Sequence, residues 1–526
     1  MIPPYMPLYP YNTTRKKEKN MDYEHIQCHG EGLTLPRGFA ERMRDMLGED
    51  FETFCASYQK PSHPSLRVNT LKISPDRLKE IAPFVGDAIP WQETGFYYPV
   101  DGDIRPGKHP LHEAGAYYIQ EASAMLPASL YPPTPGERVL DLCAAPGGKA
   151  TQLAAALGGE GLLVANEIHP TRAAILSQNI ERMGVRNAVV VNATPAELAR
   201  KFPAFFDKIV VDAPCSGEGM FRKEADAVTM WSPENVSLCA ARQAEILEEA
   251  AKMLAPDGYL VYSTCTFAPA ENEGAVLAFL SCHPAFEVVP SKQPCVVASR
   301  ETGLLDGGRP EWVEGVEGYP AELCEQVRYA YRVFPHHCDG EGHFAVLLHK
   351  QSGDPSPVRK DDKKKNRKPE KHSGGKGKTN PISVAVSLFE DFCREVMGGV
   401  PDYMESTVPC LFGDKLYLVP KALCGDSDPT DILNGLRVLR AGLCVGTVVG
   451  LDRGRGRFEP DHALALSGGN RAFDVDFDSA CAYLKGETIP CSLRGWYAVS
   501  YCGLPLGWGK ASDGMMKNHY PKGLRW

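Results

Sequence analysis

The chain has 526 residues, of which 43% are hydrophobic, and this predicts a globular protein with several domains. No run of about 18 apolar residues occurs, and the N-terminus has apolar residues before basic ones, which argues against a membrane span and a secretory signal. The formal net charge of −9 disfavours nucleic-acid binding through the average field, whereas a local basic patch can still bind phosphates. Seventeen cysteines without a framework of spacings indicate reduced thiols in a cytoplasm.

The N-terminal part of the chain changes character near Met21. Residues 1–20 are rich in Pro and Tyr and then basic, so we expect them to be disordered, with Met21 as an alternative start. Apolar residues at helical spacing over 35–58 and an alternating pattern over 65–74 predict helix and then strand. We therefore expect a small α+β module over 21–100.

Residues 101–350 have the pattern of an α/β domain. Short Val/Ile/Leu runs predict buried strands, at 138–144, 161–167, 188–193, 208–214 and 258–264. Helical segments lie between these runs, which indicates a doubly wound, mostly parallel sheet. Runs at 286–290 and 343–350 are candidates for the last two strands, so the sequence predicts a seven-stranded, Rossmann-like domain.

A basic linker is predicted to separate this domain from the C-terminal part. Residues 351–380 contain ten Lys/Arg against four Asp/Glu and almost nothing apolar, which indicates a disordered segment. A C-terminal α/β region over 381–470 follows. Residues 471–526 form a last segment rich in Gly and aromatic residues, of which Trp496, Tyr497, Tyr501 and Trp508 suit either a core or an RNA-stacking surface.

The first predicted strand of the α/β domain leads into a glycine-containing loop, "DLCAAPGGKAT" (141–151). Gly147 and Gly148 allow a tight turn and close approach to a ligand, and ligands of open parallel sheets lie at the carboxyl ends of the strands. Glu167, twenty residues beyond Gly147, suits a ribose diol. G-x-G-x-x-G is absent and Pro146 interrupts the loop, so a pocket for S-adenosylmethionine (SAM) is favoured over a dinucleotide site.

Two cysteines follow two other predicted strands. Cys215 ends "KIVVDAPC" and Cys265 ends "GYLVYSTC". A single cysteine at a strand end is usually a packing residue, so packing, metal binding and chemistry all stay open for each thiol by itself. The run "HHC" at 336–338 lacks a C-x-x-C partner, and we expect no bound metal.

Several motifs together resemble the Sun-type (RsmB/NOP) RNA cytosine-5 methyltransferases. They are "DLCAAPGGKAT", "VVDAPCSGEGMFRK", "YLVYSTCTFAPAENE" and "RVFPHH", within about 65–350. The terminal segment "GLPLGWGK…KNHYPKGLR" resembles the C-terminal, PUA-like RNA-binding domain of the RsmF branch. The resemblance implies SAM as cofactor, 5-methylcytosine as product and 16S ribosomal RNA of the small subunit as substrate. We further expect a cytoplasmic monomer, with RNA contacts from the modules at both ends of the chain.

The resemblance also implies roles for individual residues. Cys265 would be the nucleophile that adds to carbon 6 of cytosine, Cys215 would assist product release, and Asp212 would hydrogen-bond the cytosine edge. Lys149 would lie near the same cleft and favour a thiolate. The implied SAM-binding residues are Cys143, Ala144, Ala145, Pro146, Gly147, Gly148, Lys149, Glu167, Arg172 and Asp212. The family often has an acid near the adenine, where this chain has Asn192 and Thr194 instead, so that contact stays open.

Four other functions are weighed against this one. A DNA cytosine-5 methyltransferase would have a P-C-Q motif, whereas this chain has "PCSGEG" and a second cysteine in a T-C motif. Amino-methyltransferases carry N-P-P-Y or D-P-P-Y, which is absent. A non-catalytic assembly factor is disfavoured by the intact thiols and loop, and a transfer-RNA substrate is an alternative to ribosomal RNA.

Overall fold

A computed structural model describes residues 25–27, 34–100, 104–352, 380–450, 456–469 and 471–526. The predicted disorder of residues 1–20, the alternative start at Met21 and all but the ends of the predicted linker lie outside these ranges. In the ranges described, no helix combines the length and the apolar character that crossing a membrane requires.

The N-terminal module combines short helices with a four-stranded antiparallel sheet. Its elements are β1 (His25–Gln27), β2 (Thr34–Pro36), α1 (Arg37–Leu47), α2 (Phe51–Ser57), β3 (Ser65–Val68), α3 (Pro75–Ile81), β4 (Ala88–Ile89), β5 (Gln92–Tyr97), α4 (Pro110–Glu113), β6 (Tyr117–Ile119) and α5 (Leu126–Leu130). The strand order is β4-β5-β3-β6. The predicted boundary at residue 100 divides this sheet, because β6 pairs with β3 and Tyr117 lies opposite Val68.

The central domain alternates strands and helices as the sequence predicts. Its strands are β7 (Arg138–Asp141), β8 (Leu162–Asn166), β9 (Ala188–Asn192), β10 (Phe206–Asp212), β11 (Leu254–Thr264), β12 (Phe286–Val288), β13 (Asp306–Gly307), β14 (Tyr331–Val333) and β15 (His343–Lys350). Its helices are α6 (Gly148–Leu157), α7 (Pro170–Arg182), α8 (Pro195–Lys201), α9 (Ala225–Met230), α10 (Pro233–Met253), α11 (Glu273–Cys282), α12 (Pro294–Glu301) and α13 (Ala321–Val327).

Strands β7 to β11 are parallel, and β15 is antiparallel to β11. The order across the sheet is β13-β14-β15-β11-β10-β7-β8-β9-β18, and β12 also pairs with β15. The predicted doubly wound class is confirmed. Among the described residues the sheet has ten strands rather than the seven predicted. The three additional strands, β13, β14 and β18, are all antiparallel to their neighbours.

One of these additions comes from the C-terminal region. That region contains α14 (Pro381–Val396), β16 (Thr407–Phe412), β17 (Lys415–Pro420), α15 (Lys421–Cys424), α16 (Pro429–Leu433), β18 (Arg437–Ala441), β19 (Leu443–Val449), β20 (Arg457–Pro460) and α17 (His462–Leu466). Strand β18 pairs antiparallel with β9, whose free edge would otherwise leave backbone groups unpaired. The C-terminal region and the central domain therefore share one sheet.

The last module is a five-stranded sheet that packs on the N-terminal module. Its elements are β21 (Ala472–Val475), α18 (Phe477–Lys485), β22 (Ile489–Pro490), β23 (Gly495–Tyr501), β24 (Leu504–Ser512) and β25 (Met515–Asn518). Leu66 and Tyr117 of the N-terminal sheet share a buried cluster with Tyr483 and Leu506. Trp508 is buried as well, and its Nε1 donates to the carbonyl of Asp461 at 2.8 Å.

The order of strands defines where a ligand can bind. From β7 the chain proceeds through β8 to β9 on one side and then crosses to β10 on the other side. In an open α/β sheet, the crevice at such a reversal point, outside the carboxyl ends of the strands, is the ligand site. The loops after β7, β8, β10 and β11 meet at this edge, and they carry nearly all of the residues that the sequence singled out.

Candidate functional site

The loop between β7 and α6 has the shape that its glycines permit. Gly147 has φ +121°, a conformation that other residues rarely adopt, and a Cβ at this position would lie 3.3 Å from Leu176 Cδ1. Arg67 of the N-terminal module braces the start of α6, since its Nη2 donates to the Gly148 carbonyl at 3.1 Å and to Thr151 Oγ1 at 2.8 Å. The loop thus lies between Leu176 of α7 and Arg67 of the N-terminal module.

A cavity of about 200 Å³ opens beside this loop. Among its lining residues are Asp141, Lys149 and Asp212, together with the predicted loop residues Cys143, Ala144, Ala145, Pro146 and Gly148. Residues of the segment 118–121 close the opposite wall. The cavity therefore lies where the glycine-containing loop meets the N-terminal module.

Asp141 is the residue of this cavity that the sequence reasoning missed. Its side chain is fully buried, and neither carboxylate oxygen has a hydrogen-bond partner in the part of the chain described. Burial raises the pKa of Asp141 to about 8, while the charge of Lys149 opposes that rise. The available signal was an acid at the end of an apolar strand, the same signal that drew attention to Asp212.

Asp212 lies at the end of β10 and behaves in the opposite way. Lys149 Nζ is 2.7 Å from its Oδ2, and Ser263 Oγ donates to its Oδ1 at 2.8 Å. His343 Nε2 lies 3.6 Å from the same Oδ1. Burial works against ionisation, but Lys149 and His343 hold the pKa of Asp212 well below its usual range. A charged carboxylate and a charged ammonium thus face the cleft.

The two predicted functional thiols are in contact. Cys215 Sγ and Cys265 Sγ are 3.3 Å apart, and both side chains are partly exposed. The strands that precede them are adjacent and parallel, with Asp212 opposite Ser263. The hydrogen bond to Cys265 and burial raise the pKa of Cys215 well above its usual range. The charge of Lys149 interacts with Cys265, so the sequence-predicted residues Lys149, Asp212, Cys215 and Cys265 form one cluster.

Glu167 and Arg172 lie at the neighbouring strand end, outside the lining of the cavity. Glu167 Oε1 accepts from the His169 backbone N–H at 2.8 Å, and its Oε2 is 3.4 Å from Arg172 Nη1. Arg172 Nη2 donates to the Ala145 carbonyl at 2.8 Å. The pair therefore links the end of β8 to the glycine-containing loop.

Both candidates for the adenine contact already have partners. Asn192 Nδ2 donates to the carbonyls of Glu167 and Ile168, each at 2.7 Å. The Thr194 hydroxyl exchanges hydrogen bonds with Glu197 in a capping box at the start of α8. These contacts hold the ends of β8 and β9, and neither residue lines the cavity.

His336 and His337 line a separate cavity of about 310 Å³. Among the residues that the structure describes, these two and Asp50 form the group with metal-ligand spacing, each offering one atom within 4.8 Å of the others. Asp50 is exposed, and His337 Nδ1 contacts Asp306 Oδ2 at 2.7 Å. The expectation of no bound metal stays a prediction, which titration with Zn²⁺ would test.

A doubly wound sheet with this loop and this pair of strand-end thiols defines a Rossmann-like methyltransferase with added modules. The family model for 16S rRNA methyltransferase RsmB/F matches residues 128–349, and that for the N-terminal domain of 16S rRNA methyltransferase RsmF matches 35–122. The RsmF rRNA methyltransferase first C-terminal domain matches 391–467, and the methyltransferase RsmF PUA domain matches 470–526.

Full-length relatives agree with these matches. The chain is 33% identical to ribosomal RNA small subunit methyltransferase F of Klebsiella pneumoniae over 93% of its own length and 96% of the relative. It is 33% identical to the protein of the same name from Vibrio vulnificus, over 93% and 97%. A solved methyltransferase homologue from Pyrococcus horikoshii is 30% identical, with a TM-score of 0.50, and covers 59% of this chain and 94% of that one. The chain belongs to the RsmF family of RNA methyltransferases.

Proposed function

We propose that this protein transfers a methyl group from SAM to carbon 5 of a cytosine in 16S ribosomal RNA. The observation that carries the proposal is the pair of contacting thiols, Cys215 and Cys265, at the ends of adjacent strands. They lie beside a cavity whose buried acid, Asp141, lacks a partner among the described residues. The relatives named ribosomal RNA small subunit methyltransferase F support the choice of substrate.

The residues of the cavity fit SAM. The molecule carries an ammonium group and a sulfonium, and a buried carboxylate without a partner is a favourable neighbour for a cation. Asp141 would accept from the ammonium group, the loop 143–149 would contact the amino-acid part, and Glu167, at the end of the next strand, would accept from the ribose diol. When bound, SAM supplies an electrophilic methyl group.

Cys265 would activate the cytosine. Its thiolate adds to carbon 6, one carbon–sulfur bond forms, and the ring electrons shift so that carbon 5 becomes nucleophilic. Asp212 would hydrogen-bond the ring edge through a proton on nitrogen 3, and such a proton makes carbon 6 more electrophilic. Lys149 holds Asp212 ionised and stabilises negative charge on the neighbouring thiol.

Cys215 would assist release. Because its pKa is raised well above the usual range, Cys215 keeps its proton, and its S–H group can donate a hydrogen bond to the sulfur of Cys265. That bond stabilises the thiolate as it leaves carbon 6. A base removes the carbon-5 proton, the electrons of that C–H bond form the double bond between carbons 5 and 6, and the carbon–sulfur bond breaks so that its electrons leave on the Cys265 sulfur. The aromatic ring of the methylated base is thereby restored.

The RNA would contact the modules at both ends of the chain, and the enzyme would act as a cytoplasmic monomer. The match to the RsmF PUA domain supports an RNA partner. Cys143, Cys215 and Cys265 are free thiols, which suits a reducing compartment. Sedimentation of the purified protein would test the monomer.

The direct test is Cys265→Ala. We expect 16S methylation, read by bisulfite sequencing, to fall below about a hundredth of wild type, because loss of a nucleophile is costly. SAM affinity should stay within twofold, since the cavity borders other strands. Turnover above that level would overturn the role of Cys265 as nucleophile. Wild type that neither methylates 16S RNA nor forms a covalent complex with 5-fluorocytidine RNA would favour a non-catalytic RNA-binding role. Methylation of transfer RNA in the same sequencing would favour the other substrate.

A further inference from the structure

The carboxylate of Glu271 lies against the turn that carries one of the two thiols. Glu271 follows β11 in the chain, and its side chain is fully buried. It accepts from the Ser216 backbone N–H at 3.0 Å and also from the Ser216 hydroxyl. Ser216 is the residue after Cys215, so the carboxylate holds the turn after β10 directly.

The same network reaches the second turn through Thr266, the residue after Cys265. Ser216 Oγ and Thr266 Oγ1 are 2.8 Å apart. Burial and the charge of Glu218 raise the pKa of Glu271 to about 7, so Glu271 is mainly ionised above pH 7. The Ser216 hydroxyl then donates to it, and Ser216 Oγ accepts from the Thr266 hydroxyl. A chain of hydrogen bonds from Thr266 through Ser216 to Glu271 therefore joins the residues that follow the two thiols.

Glu271 is itself held by two further elements. The Tyr262 hydroxyl, on β11, donates to the Glu271 carbonyl at 2.6 Å. Gln243 Nε2, on α10, donates to Glu271 Oε2 at 2.9 Å and to the Pro214 carbonyl at 3.0 Å. Gln243 and Tyr262 are fully buried. The Gln243 contacts fix the carboxylate relative to α10, whereas the Tyr262 hydroxyl contacts only the backbone of Glu271.

We propose that Glu271 is the positioning residue of the thiol pair, and that its carboxylate keeps Cys215 Sγ and Cys265 Sγ in contact. Three donors point at the two carboxylate oxygens. In Glu271→Gln, an NH₂ group would replace one of these oxygens and would face one of the three donors. Buried donors that lose their acceptor are costly, so the turns would move apart. The roles of the thiols rest on the proposed function, whereas the geometric part of the proposal does not.

Phenylarsine oxide measures this geometry without any catalysis. One arsenic condenses with two neighbouring thiols, forms two arsenic–sulfur bonds and releases one water. Wild type and variants are titrated with the reagent, and the binding that is lost in Cys215→Ala is the signal from the pair. We expect Glu271→Gln to weaken that signal at least tenfold. Tyr262→Phe is the matched control, because it removes a buried hydrogen bond to the carbonyl of Glu271 and leaves the carboxylate contacts; its signal should stay within threefold.

Methylation kinetics separate positioning from general loss of stability. Glu271→Gln should lower kcat at least tenfold and leave KM for SAM within twofold, while Tyr262→Phe changes both by less than threefold. Should Glu271→Gln fail to fold, Thr266→Val removes the hydroxyl at the other end of the hydrogen-bond chain. We then expect the arsenical signal from the thiol pair to be at least threefold weaker. Arsenical binding within twofold of wild type in the folded Glu271 or Thr266 variant, or an equal loss in Tyr262→Phe, would overturn the proposal. The arsenical titration requires no catalysis, and the Cys265→Ala experiment measures methylation. Failure of the positioning role and failure of the proposed function are therefore distinguished.

Discussion

Asp141 and Asp212 end neighbouring strands, yet they differ in charge state. Burial raises the pKa of Asp141 to about 8, and no described side chain donates to it. Asp212 is partly exposed, and Lys149 at 2.7 Å and His343 keep its pKa well below the usual range. Two acids whose environments separate their pKa values take different tasks. Asp212 is therefore ionised at neutral pH, whereas a bound cation would favour ionisation of Asp141.

This difference predicts that SAM binding depends on pH. In the free protein Asp141 holds a proton below about pH 8, and a cationic ligand favours the ionised form, so binding releases that proton. Affinity should therefore rise from pH 6 to pH 8, by up to about tenfold per unit, and level off above pH 8. Asp141→Asn should bind more weakly and show a flatter profile. Calorimetry in buffers of different ionisation enthalpy would count the released proton, and equal profiles for the two proteins would contradict the role of Asp141.

A second prediction concerns the thiol that keeps its proton. Because Cys215 is expected to stabilise the departing Cys265 thiolate, Cys215→Ala should leave addition and methyl transfer intact and slow the release of RNA. The covalent RNA–protein complex should then accumulate as a shifted band on a denaturing gel after incubation with SAM and substrate RNA. Cys215→Ala with Cys265→Ala is the control without a band. A Cys215→Ala protein that turns over freely, or forms no band, would contradict this division of labour.

Sequence reasoning found the residues of the site whose signal is local. Cys215, Cys265 and Asp212 follow apolar strand runs, and the glycine-containing loop follows another. Glu271 gives no such signal, because its importance depends on contacts with Ser216, 55 positions away in the chain. A hydrogen-bond network of this kind is set by tertiary packing, which periodicity does not report.

At the scale of elements, strand β18 is the main departure from expectation. The strands β7 to β11 are buried on both faces and read as continuous apolar runs, which is why the sequence predicted them. "RVLRA" in β18 has exposed and buried positions mixed, and its partner β9 is more than 240 residues earlier. Strands β13 and β14 have only two and three residues, too short for a pattern to show.

The pairing of β18 with β9 predicts that the chain stays together when it is cut. A protease site inserted within 353–379 should give two fragments that co-elute on gel filtration, held by the strand pair and by the packing of Tyr483 and Leu506 on the N-terminal sheet. Ala441 is 3% exposed and lies opposite Val189, so Ala441→Asp should loosen the association and lower Tm. Arg437→Asp, at the exposed end of the same strand, should change either value much less. Fragments that separate in the unmodified sequence would refute the structural role of β18.

At the scale of the whole molecule, the two predicted RNA-binding modules form one body. The last module packs on the N-terminal sheet, and Tyr520 Oη donates to Glu113 Oε2 at 3.2 Å. Tyr520 is buried in that packing, and Trp508 is buried against the C-terminal region, so Trp508 is a core residue, one of the two roles that the sequence left open for it. Bases would have to stack on other side chains, and Trp496, Tyr497 and Tyr501 are partly exposed candidates on the same sheet.

The last module presents a basic pair beside Trp496. Lys510 on β24 lies directly opposite Lys517 on β25 and also opposite Trp496 on β23, so the three share one face. Lys510 Nζ is 5.2 Å from the centre of the Trp496 ring. Like charges opposite each other on a sheet are destabilising, so stability does not account for placing two lysines together, and the pair suits an anionic partner. In a chain of net charge −9, such local clusters have to provide the electrostatic attraction for RNA.

Replacing both lysines should therefore weaken RNA binding without weakening the fold. For Lys510→Ala with Lys517→Ala, we expect lower affinity for 16S RNA and a salt dependence reduced by about 1.4 in log–log slope, the value for two phosphate contacts to unpaired RNA. Tm should stay level or rise, since like-charge repulsion is removed, and SAM affinity should not change. The matched control is Lys252→Ala with Arg328→Ala, two exposed cations of the central domain that are each paired with glutamates, which should leave the slope unchanged. Equal slopes for the two double variants would show that the RNA binds through another face.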